Sequence, residues 1–451
     1  MRMSDTIAAI ATAPGEGGIS IVRVSGDGAE AVLSRVFQPA GIKALPLQSH
    51  LMTYGHAAEN GEILDECMAV LMRAPRSYTR EDVAELHLHG GGATAERVLR
   101  ACLAAGARLA EPGEFTRRAF ENGRIDLSRA EAVMALIRSR GEQARRAALR
   151  QLEGGAAAFV RKAADELYGI QAGLAASIDY PEEITDDEAV SDLRPRIRRL
   201  AETLRAAVDE QGARIAREGL RVALCGRPNA GKSSLLNALT RQDLAIVTAI
   251  PGTTRDTVRG EITLDGCLII LTDTAGLRET DDPVERLGVE RARKALFEAD
   301  TVLFLIDAAS PLTPEDEALA AELRGRDVIV ILSKNDLPER VRAADVRALL
   351  PEADVVTTSV LQPESLAALK KLLTDRARRG DRLALTQPRH LDAARRAAEH
   401  LDRAAEAMET GTADLASVDL LAAQQALAEI TGDAVEEKLL DRVFSEFCVG
   451  K

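Results

Sequence analysis

The sequence predicts a multidomain chain: an α+β N-terminal domain, a discontinuous all-α helical domain, and an α/β domain inserted into the helical one. Three observations predict it. The run Gly226-Arg227-Pro228-Asn229-Ala230-Gly231-Lys232-Ser233 fits G-x-x-x-x-G-K-[ST] in full, with an apolar run at 222–225 before it and an amphipathic run at 234–239 after it. Ala-, Arg- and Glu-rich stretches with helical periodicity lie on both sides of that region, from residue 127 to about 216 and from 388 to 447. Residues 5 to about 120 instead carry short strand-like runs punctuated by Gly and Pro. A length of 451 residues leaves room for roughly two to four domains with sizeable cores.

In the N-terminal part, strands are expected at 6–11 and 19–24, joined by the turn Pro14-Gly15-Glu16-Gly17-Gly18. A helix follows at 28–37, then strands at 66–72 and 83–89. Gly90-Gly91-Gly92 opens a helix over 94–105. That glycine run could offer N–H groups to an anion, but it lacks the spacing of a dinucleotide fingerprint. His87 and His89 flank Leu88 on a strand. With no third ligand cluster nearby they read as core or hydrogen-bonding histidines rather than a metal pair.

From 127 to about 216 helical patterning dominates, and Pro181 with Asp179 and Glu182 marks a break between two long helices. Two arginine clusters, at 138, 140, 145, 146, 150 and at 194, 196, 198, 199, read as solvated helix faces rather than RNA contacts. Neither helical stretch has an evident core of its own. The simplest account packs them on each other, with the α/β domain as an insertion. The expected boundaries are 1–122, 123–216, 217–380 and 381–451.

A net charge of −13 and a pI near 5.2 argue against general polyanion coating, so nucleic-acid contacts would need local basic patches. Trp is absent and aromatics are scarce, which disfavours base-stacking platforms. The five cysteines, at 67, 102, 225, 267 and 448, have no paired spacing and suit a reducing compartment. Residues 1–13 lack a basic segment followed by a long apolar core, and no later run could span a bilayer. The expectation is a soluble cytoplasmic protein without membrane contact.

The α/β region carries the chemistry. In the glycine-rich loop, backbone N–H groups cradle phosphates, Lys232 supplies a charge, and the Ser233 hydroxyl can ligate Mg²⁺. Thr253 and Thr254 lie in a Gly-Thr-Thr-Arg loop where a hydroxyl can complete that shell. Asp273-Thr274-Ala275-Gly276 ends an apolar strand; there the carboxylate can hold the metal through water, and the glycine N–H can reach a γ-phosphate. Ser333-Lys334-Asn335-Asp336 ends another strand, where Asp336 can accept from the N1–H and 2-amino group of guanine, a pair that adenine lacks. Strands followed by helices, with motifs at the strand ends, describe a doubly wound sheet. This is a GTPase domain. Leu277 stands where Ras-like switches carry a water-orienting Gln, so another group must do that work. Asn229 could either face a monovalent cation or stabilise its own turn. At the C-terminus, Cys448 reads from the sequence alone as a small apolar residue packed beside Phe447.

Taken together, the chain resembles the family of tRNA uridine-modification GTPases called MnmE or TrmE. The pieces that carry the resemblance are Asp5-Thr6-Ile7 through Arg23-Val24-Ser25-Gly26, Pro112-Gly113-Glu114-Phe115-Thr116, Gly123-Arg124-Ile125-Asp126-Leu127, the GTPase motifs, and Phe447-Cys448-Val449-Gly450-Lys451. The resemblance implies a folate-binding, dimerising N-terminal domain, a discontinuous helical domain and an inserted P-loop GTPase domain. It implies a homodimer that works with an FAD-dependent partner, MnmG (also called GidA). Together they would place an aminomethyl or carboxymethylaminomethyl group on C5 of the wobble uridine of tRNA. The methylene carbon would come from 5,10-methylene- or 5-formyl-tetrahydrofolate.

Residue by residue, the implied folate site is Arg23, Glu85, Arg124 and Lys451, with Arg124 standing where Lys is common. The GTP site comprises Asn229, Ala230, Gly231, Lys232, Ser233, Ser234, Thr248, Thr253, Thr254, Asp273, Thr274, Ala275, Gly276, Lys334, Asp336 and Ser359. Mg²⁺ falls to Ser233 and Thr254, and K⁺ to Asn229, Thr248, Ile250 and Thr253. Glu285 matches the water-orienting glutamate, and Cys448 becomes a candidate catalytic thiol beside the folate pocket. Ser333 stands where Asn is usual and Val360 where Ala is usual, departures that weaken the guanine site and leave the phosphates untouched. Two other classes share the GTPase core: a ribosome-assembly GTPase of the Era or Der type, and a GTP-driven dimerising scaffold. Against the first stand the missing second phosphate loop and the missing G-x-x-G loop after residue 380; the folate pocket and Cys448 argue against the second.

Overall fold

The computed structural model describes residues 5–41, 47–180, 182–183, 185–242, 259–273, 293–410 and 413–450. It divides into two compact units. One comprises Met1–Met134, Leu152–Gly169 and Leu420–Lys451; the other comprises Ala135–Gln151 and Ile170–Asp419.

The first unit is built on a seven-stranded sheet. Its strands are β1 (Ile7–Ile10), β2 (Ile19–Ser25), β3 (Phe37–Pro39), β4 (Thr53–Glu59), β5 (Glu62–Met72), β6 (Val83–His89) and β7 (Arg108–Leu109). Their order is β3-β4-β5-β6-β2-β1-β7, antiparallel throughout except for the β1–β7 pair. Because side chains alternate across a strand, the sheet has two distinct faces. Val22, Val24, Leu86 and Leu88 point to a core closed by the amphipathic helices Ala29–Val36 and Gly92–Ala104, which bring Val32, Leu33, Val98 and Cys102. Ile7 and Ala9 point the other way, onto Phe115 and Tyr78. The register sets Ala9 opposite Arg23, and Arg23 opposite Glu85.

The strands expected at 6–11, 19–24, 66–72 and 83–89 are present, as are both helices. β3, β4 and β7 were not foreseen. The β4 run Thr-Tyr-Gly-His-Ala-Ala-Glu lacks a clean apolar alternation and shifts register at Ala57/Ala58. Further helices, Glu114–Glu121, Leu127–Arg138 and Glu437–Ser445, meet in an aromatic cluster of Phe120, Leu127, Met134, Phe444 and Phe447.

In the second unit, a six-stranded sheet holds β8 (Leu220–Cys225), β9 (Arg259–Leu264), β10 (Cys267–Asp273), β11 (Thr301–Asp307), β12 (Val328–Ser333) and β13 (Asp354–Thr357). The order is β13-β12-β11-β8-β10-β9, with only β9 antiparallel to its neighbour. The central parallel strands β8, β11 and β12 are buried on both faces, which is why they read as nearly unbroken apolar runs. Leu236, Leu239, Leu369 and Leu373 cover one face, and Leu296, Ala320, Leu323 and Val346 cover the other. The carboxyl ends of β8, β10, β11 and β12 carry the glycine-rich loop, Asp273, Asp307 and Ser333, as the strand-then-motif pattern required.

The helices Asp186–Ala206 and Pro388–Glu409 of this unit pack on each other as expected. Leu193, Ile197, Leu200 and Leu204 are buried with Leu391, Ala394, Ala397 and Leu401, and Arg205 pairs with Asp402. A capping box between Thr185 and Glu188 starts the first of these helices. In the arginine clusters, Arg145 and Arg146 pair with Glu142, Arg140 with Glu261, and Arg194 with Glu409. Among the described residues no helix is long and apolar enough to cross a membrane.

Candidate functional site

The phosphate loop turns because its glycines permit it. Gly226 sits at φ 138°, and a Cβ there would meet the Leu305 carbonyl oxygen at 2.3 Å, so no other residue fits. Asn229, exposed at φ 63°, takes the left-handed turn that Asn tolerates. The Lys232 ammonium donates back to the carbonyl oxygens of Gly226 at 2.6 Å and Arg227 at 2.8 Å. Burial pulls its pKa below the ordinary lysine range, while Asp273 pulls the other way. Ser233 Oγ donates to Asp273 Oδ2 at 3.2 Å. The other carboxylate oxygen of Asp273, Oδ1, is buried with no hydrogen-bond partner among the described residues. A hydroxyl, a carboxylate and an orphaned oxygen at the phosphate end of the loop are a donor set that suits a hydrated Mg²⁺. Ala230 is buried, whereas Ser233 and Ser234 are exposed at the first turn of the helix Lys232–Gln242.

A feature that sequence reading missed anchors this loop. Arg227 Nε donates to Asp316 Oδ1 at 2.9 Å, and Asp316 is fully buried. Its other oxygen accepts from the Thr313 N–H and hydroxyl, both at 3.0 Å, capping the helix Pro314–Glu322. The x positions of the motif carry no signal that could have announced this pair.

At the base end, Ser359 Oγ donates to Asp336 Oδ1 at 2.6 Å, which orients an otherwise exposed carboxylate. Ser359 is itself fixed: its N–H donates to Ser365 Oγ at 2.9 Å. Lys334, at φ 60°, pairs with Asp307 at 2.6 Å. Burial raises the Asp307 carboxyl, but the bonds from Lys334 and the Ala309 N–H outweigh it and hold its pKa below the usual value. Thr248, Ile250, Thr253, Thr254, Thr274, Ala275, Gly276, Leu277 and Glu285 lie outside the described residues, as does Lys451.

The first unit gathers a second site. Cross-strand register brings Arg23 and Glu85 together, and Arg23 Nε donates to Glu85 Oε1 at 2.8 Å. Both side chains are largely buried, and His87 Nε2 lies 3.1 Å from the other Glu85 oxygen. The Arg23 guanidinium sits 5.5 Å from the Tyr78 ring centroid and 5.7 Å from that of Phe115. Arg124 lies 4.7 Å from the same Tyr78 ring and donates to the Tyr78 carbonyl at 3.1 Å. Each such cation–ring contact contributes about 0.5–2 kcal/mol. Two of the four expected folate residues, Arg23 and Arg124, thus share one aromatic plate, Tyr78, and a third, Glu85, joins them through Arg23. That tyrosine and His87 were not anticipated as site residues; with only four tyrosines in the chain, their scarcity was the available signal. A shielded carboxylate, two cations and an aromatic face fit a flat heterocycle carrying an amino edge and carboxylate tail. His87 and His89 hydrogen-bond to Glu85 and Asp65, as read from the sequence.

The C-terminal tail reaches this site at Gly450. Phe444 and Phe447 are buried against Leu127, Ala130 and Met134, each contributing about 1.5–3 kcal/mol. Gly113 N–H donates to the Cys448 carbonyl at 3.4 Å, and the Gly450 carbonyl oxygen lies 3.5 Å from Arg23 Nη1. Gly450, at φ 95°, runs so close to β1 that a Cβ would lie 2.2 Å from the Ile10 carbonyl oxygen. The packed cysteine expected from sequence alone is corrected: Phe447 is buried in the core and Cys448 is exposed. The other four cysteines are buried, and burial pushes the thiols of Cys67, Cys102 and Cys225 up to about 12.

Comparison with known proteins gives the family. A family model described as the N-terminus of the GTP-binding protein TrmE matches residues 6–124, and one described as the MnmE helical domain matches 127–448. The tRNA modification GTPase MnmE of Geobacillus kaustophilus is 44% identical over 467 aligned residues, covering 100% of both chains. That of Bacillus velezensis is 44% identical, covering 99% of this chain and 100% of its own. Among solved structures, the G domain of the T. maritima FeoB iron transporter is 30% identical, with 35% of this chain and 98% of that one covered and a TM-score of 0.29. With both family models spanning nearly its whole length and relatives aligning from end to end, the chain belongs to the MnmE family of tRNA modification GTPases.

Proposed function

We propose that this GTPase modifies tRNA by adding an aminomethyl or carboxymethylaminomethyl group to C5 of the wobble uridine, acting as a homodimer with an FAD-dependent partner of the MnmG (GidA) kind. A tetrahydrofolate derivative supplies the one-carbon unit when bound. Within the first unit, Glu85 would take the amino edge of the pterin, Tyr78 and Phe115 would cover its face, and Arg23, Arg124 and Lys451 would hold carboxylates. Cys448, exposed and close along the chain to Gly450, would act as nucleophile or acid. In the second unit, Ser233, Asp273 and Thr254 would hold Mg²⁺. Asn229, Thr248, Ile250 and Thr253 would hold K⁺, whose charge would offset that of the transition state, and Glu285 would orient the attacking water. The four-part division at 122, 216 and 380 belongs to the same reading.

The observation that carries this function is the meeting of Arg23, Glu85, Tyr78 and Arg124 with the C-terminal tail. A GTPase that served only ribosome assembly or scaffolding has no use for such a cluster joined to a tail that carries an exposed thiol. Titration calorimetry with 5-formyl-tetrahydrofolate tests it. Binding by the full chain, lost in Glu85→Gln with GDP affinity unchanged, is the expected result. No binding by the wild-type chain would remove the folate assignment.

A further inference from the structure

Ser333 departs from the usual asparagine, and its surroundings say what it does instead. It closes β12 and is only 8% exposed. Its Oγ donates to the Ala230 carbonyl oxygen in the phosphate loop at 2.8 Å, and the Ile306 carbonyl oxygen of β11 lies 3.2 Å away. Both neighbours are backbone acceptors. A serine hydroxyl carries a single hydrogen, so this contact uses the only donor it has. What remains on Oγ is lone pairs. The ring N7 of guanine, like that of any purine, also only accepts, so Oγ has nothing to offer it. An asparagine would bring two N–H donors and a longer stem, enough to serve a base and the loop together.

The base loop does not need Ser333 to stay formed. Lys334 is tied to Asp307 at 2.6 Å, and Asp336 is oriented by Ser359 at 2.6 Å. The Asn335 N–H donates to the Thr358 carbonyl at 3.2 Å. Asp336 therefore keeps its acceptors for the donor edge of the base, N1–H and the 2-amino group, whatever stands at 333.

We propose that Ser333 is a staple between the phosphate loop and the strand that carries the base loop, and that this position leaves N7 of the bound guanine unread. What this loop reads of the base is then the donor edge that Asp336 faces, and not N7. The inference builds on the assignment of this site to a guanine nucleotide.

The test is the affinity of the full chain for GDP, 7-deaza-GDP and ADP in Mg²⁺ buffer. GDP and 7-deaza-GDP, which lacks only the N7 acceptor, should bind within about twofold of each other, since no neutral hydrogen bond is lost. A larger preference for GDP overturns the proposal. GDP binding no more tightly than ADP would instead overturn the guanine assignment itself, a separate failure. Ser333→Ala cuts the staple without touching the base and should weaken both guanine nucleotides by one common factor; weakening of GDP alone would contradict the proposal. Ser333→Asn restores a donor and should open a gap of roughly twofold to tenfold in favour of GDP. No gap in that variant would show that the single serine hydrogen is not what silences the position.

Discussion

Replacing Arg227 by Met strands a buried carboxylate, and the two ends of that ion pair should fail unequally. Asp316 is fully buried, whereas the Arg227 side chain keeps 21% of its surface exposed. Without Arg227, Asp316 Oδ1 loses its partner while Oδ2 keeps both bonds from Thr313. Breaking a buried pair from the less buried side costs about 3–5 kcal/mol, and the surviving cap places this case near 3. In Asp316→Asn the charge is gone and Arg227 can turn toward water, so only about 1–2 kcal/mol is lost. The assay is amide hydrogen exchange, followed by mass spectrometry, over the helix Pro314–Glu322 that Asp316 caps. Arg227→Met should speed exchange there roughly a hundredfold at about 1.4 kcal/mol per tenfold, and Asp316→Asn by roughly tenfold. A change below about threefold in Arg227→Met, or the reverse ranking, would refute the reasoning.

Three further outcomes test the proposed sites. Asp336→Asn should lose GDP affinity by about 1.5–3 kcal/mol and gain it for xanthosine nucleotides, checked by fluorescence titration; unchanged GDP affinity would show the motif misassigned. GTP hydrolysis should run faster in K⁺ than in Na⁺ at equal ionic strength, and Asn229→Ala should erase that difference, because screening does not distinguish the two ions. At pH 8, iodoacetamide should label Cys448 first, since burial raises the pKa of Cys67, Cys102 and Cys225 to about 12 and so removes their thiolate; peptide mass mapping reads the order.

What was legible in the sequence was local. The phosphate loop announces itself because Gly226 and its neighbours meet backbone demands within eight residues, and the parallel strands announce themselves as apolar runs. The N-terminal site was legible only through family resemblance. Arg23 and Glu85 are 62 residues apart and meet through strand register, while Gly450 reaches Arg23 across 427. Tyr78 comes from an aperiodic loop, so no period marks it. Ser333 looked like a weakened asparagine, because only the folded chain places the Ala230 and Ile306 carbonyls around its hydroxyl. Cys448 was misread because burial of Phe447 says nothing about the direction its successor takes.

The central claim is that the GTPase and the Arg23–Glu85 cluster with its C-terminal tail serve one chemistry on tRNA. It is tested most directly by nucleoside mass spectrometry of tRNA from cells lacking this chain, complemented with the wild type or with Cys448→Ser. The account predicts that the C5-modified wobble uridine disappears on deletion and returns with the wild type. It should stay absent with Cys448→Ser, although that variant hydrolyses GTP normally. An unchanged modified-uridine content in the deletion strain would contradict the account.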